Sequence, residues 1–96
     1  MSKKNRKQND DNFGAPTAES GAFLALKHEF SVLIDDIQET KELADVKIVA
    51  NMLFSVQLDM TLGETMPTCK EHIGAMMGSI GDKELTDRID AILARY

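Results

Sequence analysis

Large apolar residues recur at intervals of three and four in two successive stretches of this 96-residue chain, and that spacing limits what it can fold into. Phe23, Leu26, Phe30, Leu33 and Ile37 form the first set, and Val46, Val49, Leu53, Val56 and Met60 the second. Wound as a helix, each set lines up along one stripe that needs cover. Leu24, Val32 and Ile34 widen the first stripe. Between them, residues 38–45 read QETKELAD, polar but without the glycine or proline that forces a break. The second set does not continue the heptad phase of the first, which would place apolar residues at Ala44 and Asn51. A slip of this kind favours a bend or hairpin over one long helix with a stutter.

The second stretch also carries the mark of a strand. Every even position from Val46 to Leu62 is apolar, and alternation at period two belongs to a half-buried strand. Three considerations favour helix. A strand over 46–62 would far exceed the usual length of about five or six residues. The segment uses Leu, Met, Ala and Gln more than β-branched residues. As a helix it also gathers Lys47, Asn51, Ser55, Gln57, Asp59 and Thr61 on one side.

Start and stop signals divide the rest. Thr17 suits a helix N-cap, with Glu19 at the positive end of the helix dipole. Gly63 and Pro67 end the second helix. Thr68 and Glu71 have the spacing of a capping box. A short helix carrying Ile73, Met76, Met77 and Ile80 follows, with Gly74 and Gly78 each weakening it by about 1 kcal/mol relative to alanine. Gly81 stops it and Asp82 caps the last helix, which runs from Lys83 to Tyr96 through Leu85, Ile89, Ile92 and Leu93. The expectation is an all-α fold: a helical hairpin over 17–62, a short helix and a C-terminal amphipathic helix. Residues 17–96 make one domain, preceded by a polar arm, 1–16, read as flexible. A domain of about eighty residues has a small core, and one cysteine, Cys69, allows no intrachain disulfide. A bundle completed by oligomerisation, in the reducing cytoplasm, fits both facts.

Charge narrows the partners. The arm holds Lys3, Lys4, Arg6 and Lys7 against Asp10 and Asp11, a balance of +2 that leaves −7 on the remainder of a chain whose net charge is −5. An acidic body repels phosphate backbones, so nucleic acid could be contacted only through those four cations. Lys47, Asn51 and Asp59 interrupt the most apolar segment before it reaches the roughly 20 residues of a membrane span.

Candidate chemistry is sparse. Cys69 and His72, three apart at a helix start, could approach one ion, or the thiol could be activated by the helix N-terminus. Two ligands make half a zinc site, and His28 brings no second pair, so a small residue beside a surface histidine is the favoured reading and no metal or cofactor is expected. Asp35, Asp36, Glu39 and Glu42 form an acidic strip on the outer side of the first helix, read as a solvated face or a docking strip for a basic partner. The chain contains no GxSxG, P-loop or GxGxxG motif, which argues against an enzyme. The feature pointing most directly to function is a surplus. Once Val46, Val49, Leu53, Val56 and Met60 face the first helix, Ile48, Phe54, Leu58 and Leu62 still need cover. The short and final helices could supply it within the chain; the reading carried forward is that another protein, including a second copy, does so, with Asp35, Asp36 and Glu39 as an acidic rim and the adaptable Met52, Met60, Met76 and Met77 nearby. That describes a non-enzymatic binding, regulatory or assembly protein. A nucleic-acid-associated regulator working through the arm is the alternative.

Overall fold

The computed structural model describes residues 18–96, with side chains from Ser20 onward, and is all-helical over that range. Four helices follow in order: α1 over Ala18–Ile37, α2 over Leu43–Leu62, α3 over Met66–Met77 and α4 over Lys83–Leu93. The expected arm, the Thr17 cap and the cations Lys3, Lys4, Arg6 and Lys7 lie outside the described residues.

The first apolar stripe behaves as its spacing predicts. Phe23, Leu26, Phe30, Leu33 and Ile37 are all buried on α1. Residues 38–42 turn the chain, and α2 returns along α1, where Lys27 donates a hydrogen bond to Gln57 Oε1 at 2.6 Å. The turn is closed by Thr40 and Lys41 N–H groups donating to the Ile37 carbonyl. The phase slip therefore marks a hairpin, and the alternating segment is helix throughout. Leu24 and Val32, expected to widen the stripe, stand about half-exposed.

On α2 the buried line is displaced from the expected one. Val49, Met52, Val56 and Asp59 are buried, while Val46, Leu53 and Met60 are only partly so. Intervals of three, four and three connect the buried four, as good a helical stripe as the one read from the sequence. The difference arises because α2 is covered from two sides, by α1 and by α3, so its axis of burial lies between them.

Helix α2 ends at Gly63, whose φ of 76° is the left-handed conformation open to glycine. Its N–H donates to Met60 O, and Glu64 N–H donates to Asp59 O, which satisfies carbonyls left over at the helix end. Helix α3 then begins earlier than the Thr68–Glu71 box predicts. Thr65 is its N-cap, accepting from Thr68 N–H at 3.3 Å, and Pro67 sits in the first turn, where its missing N–H costs nothing. Rather than reaching Gly81, α3 stops at Met77, leaving Ile80 buried in the connection. Asp82 caps α4 as expected, its Oδ1 accepting from Leu85 N–H at 3.0 Å. Helix α4 closes at Leu93, three residues short of Tyr96.

Helix α4 lays Leu85, Ile89 and Ile92 into the core and is tied to α1 at its edge. Arg88 pairs with Asp36 at 3.0 Å, Arg95 pairs with Glu29, and the Tyr96 hydroxyl donates to Glu29 Oε2 at 2.7 Å. At the hairpin turn, Lys41 is held between Asp82 and Glu84, and both carboxylates raise its pKa.

Candidate functional site

Two features of α2 stand out from the rest of the surface: an uncovered apolar row on its outer side and a buried carboxylate on its inner side.

Phe54, Leu58 and Leu62 are 69%, 56% and 63% exposed, although each is a residue type that folding ordinarily covers. Separated by four residues each, they stand one above the other over about 12 Å of helix. Exposed Leu43 lies farther along the same side, with Lys47 and Asn51 between. The acids of α2 are Asp45 and Asp59, and both fall on the inner side of the helix. The outer side therefore carries one cation, Lys47, and no carboxylate, in a chain that is acidic overall.

Of the four residues expected to need cover, Ile48 is the exception. It is partly buried and packs against the core, so cover for it comes from within the chain. The acidic residues are exposed as expected, yet they stand apart from the apolar row. Asp35, Asp36 and Glu39 sit where α1 meets the turn, whereas Phe54, Leu58 and Leu62 occupy the opposite end of the hairpin. They do not rim it. Asp36 is moreover engaged by Arg88.

On the inner side, Asp59 is 3% exposed. Its Oδ2 lies 2.8 Å from His72 Nδ1, and its charge also acts on the buried Cys69 thiol. Cys69 and His72 thus converge, as their spacing suggested, but on a carboxylate that sequence reasoning placed on the solvent side. The sequence did hold a signal for Asp59, because it continues the 49, 52, 56 stripe in phase. The chemistry is the reverse of an activated thiol. Burial, with the Asp59 charge adding to it, pushes the Cys69 thiol up to about 12. His72 is raised as well, chiefly by its hydrogen bond to Asp59. A thiol kept protonated and a half-exposed imidazole drawn toward its charged form make a polar cluster around Asp59 where α3 packs on α2. Among the described residues no group of three or more His, Cys, Asp or Glu side chains is arranged to hold a metal ion.

A groove of about 500 Å³ lies between α1 and α4, with Val32, Leu33, Ala91 and Ile92 among its lining residues. Arg88 and Arg95 border it, but each is neutralised by a carboxylate of α1. No helix among the described residues is long and apolar enough to cross a membrane.

Comparison with family models, with curated proteins and with solved structures found no match to this chain. The functional reading therefore rests on these side chains alone.

Proposed function

We propose that this chain is a non-enzymatic protein-association module whose working surface is the outer side of α2. The observation that carries the reading is the exposure of Phe54, Leu58 and Leu62 on three consecutive turns of a helix that is otherwise well packed. Scattered exposed leucines are ordinary, but an aligned apolar row holding an aromatic residue has the composition of an association surface. Covering it needs a partner with an apolar strip of its own, and an approaching surface meets only one charge. A regulatory or assembly role follows from binding without chemistry.

Site-specific photo-crosslinking tests this. A photoreactive amino acid placed at position 58 of the full chain, expressed in its native host, should form a protein adduct. The same group at exposed Asp87 on α4 serves as control. If position 58 forms no more adduct than position 87, the association reading is wrong.

A further inference from the structure

We infer that the groove between α1 and α4 is a binding site for a medium-chain aliphatic carboxylate, with the head group at Arg95 and His28 and the chain running along the two helices toward Arg88. The inference is independent of the association reading for α2, because the groove and the apolar row share no residue.

The groove is built as a trough. Leu33 and Ile92 are buried and form its apolar floor, while exposed Val32 on α1 and exposed Ala91 on α4 form its walls. Its volume of about 500 Å³ falls within the range of small-ligand sites. Glu29 pairs with Arg95 and Asp36 with Arg88, so the two helices run antiparallel and an ion pair stands at each end. The pairs are seven residues apart on each helix, which gives the trough a length of about 10 Å. An extended aliphatic chain of about eight carbons spans the same distance.

The polar groups at the rim decide the chemistry of the ligand. Arg88 and Arg95, the two arginines of residues 18–96, both line this groove. Each guanidinium spends a single nitrogen on its α1 carboxylate and stays about half-exposed, which leaves most of its N–H donors unspent. Glu29, the carboxylate in the lining, accepts from Arg95 at Oε1 and from the Tyr96 hydroxyl at Oε2. The rim therefore offers donors and no idle acceptor. A ligand must bring acceptors of its own, and a carboxylate matches the guanidinium fork. The Arg95 end suits the head group better. Exposed His28 lines the groove next to Glu29 and adds a donor there, whereas at the other end Asp36 bonds Arg88 through Oδ2 alone and its Oδ1 repels an anion. The aliphatic stem of Arg88 then covers the far end of the chain.

Titration of the full chain with octanoate, followed by amide NMR, tests this. The amides of Val32, Ala91 and Ile92 should shift with a dissociation constant of about 1 mM, the affinity expected of so small a ligand in an open groove. Octanol, with the same chain and no carboxylate, should bind about fivefold more weakly, and acetate, with no chain, should shift nothing at the same concentrations. Arg95→Gln should weaken octanoate about fivefold and leave octanol unchanged, a difference that mere loosening of α4 would not produce. Ala91→Glu puts a carboxylate on the exposed wall and should abolish octanoate binding while helical circular dichroism stays the same. The inference is overturned if millimolar octanoate leaves the groove amides unmoved, if octanol binds as tightly, or if neither variant alters the affinity. Shifts centred on Phe54, Leu58 and Leu62 would overturn it as well, since they would mark simple adhesion of an apolar chain to the row on α2.

Discussion

His72 Nδ1 and Asp59 Oδ2 stand 2.8 Å apart across the α2–α3 packing, joining a half-exposed imidazole to a carboxylate that solvent barely reaches. Because the contact raises the His72 pKa above its ordinary value of 6.5, it favours the folded state most when the imidazole is charged. The stabilisation is fully present below about pH 6.5, the unfolded value, and is lost as pH rises through the higher folded value. Urea unfolding of the native chain and His72→Gln should therefore differ most near pH 5.5 and converge in alkaline solution. A gap that stays constant with pH would mean that the imidazole charge plays no part.

Removing the carboxylate should cost more than removing its partner's charge. Asp59→Ala leaves His72 without its partner and opens space between α2 and α3, so a loss of about 1–3 kcal/mol is expected from denaturant midpoints. Helical content should survive, since no backbone bond depends on the side chain.

The Cys69 thiol, pushed up to about 12 and buried, should resist alkylation in the native chain at pH 8. Urea should make it react at the rate of an ordinary cysteine, and Asp59→Ala should increase native-state reactivity. Fast native alkylation at pH 8 would contradict the packing of α3 on α2.

Two glycines with open space around them should respond oppositely to alanine. Gly63 holds a φ of 76°, so Gly63→Ala should destabilise by about 1–2 kcal/mol through conformation alone. Gly74 lies exposed within α3, where alanine is the better helix former, and Gly74→Ala should stabilise by about 0.5–1 kcal/mol. Thermal or urea unfolding of the two variants reads both signs.

Substitution within the core and on the outer row should separate stability from association. Leu26→Ala, at a fully buried site of α1, should cost about 2–5 kcal/mol. Phe54→Ser, on the exposed row, should change the stability of the monomer by no more than about 0.5 kcal/mol. A large loss from Phe54→Ser at dilute concentration would show that the ring is packed within one chain.

What could be read in advance divides by physical cause. The five-residue α1 stripe was legible because α1 presents a single buried side and local spacing reports it, whereas Leu24 and Val32, read as widening it, lie beyond that side. The Gly63 stop and the Asp82 cap were legible because each acts within a few residues of itself. On α2 the buried line could not be read from spacing alone, since two neighbouring helices share its burial and the even positions are apolar on nearly every side. Phe54, Leu58 and Leu62 emerged as surplus because they exceeded what α1 could cover, while Ile48 differs because it packs partly buried against the core within the chain. Asp59 was misplaced for a related reason: a carboxylate is assigned to solvent by type, and its partners Cys69 and His72 lie ten and thirteen residues away on another helix.

The order in which contacts can form follows from how α4 is attached. The α1–α2 hairpin closes over the short turn at 38–42, whereas Glu29 meets Arg95 and Tyr96 only after more than sixty intervening residues have been brought round. Short loops close at smaller entropic cost than long ones, so the hairpin is the natural folding nucleus and α4 docks afterwards. Substitutions at Leu26 or Val49 should then slow refolding, while those at Ile89 or Ile92 should chiefly hasten unfolding. The clasp between Glu29 and the end of the chain sets how long the folded state lasts more than how fast it is reached.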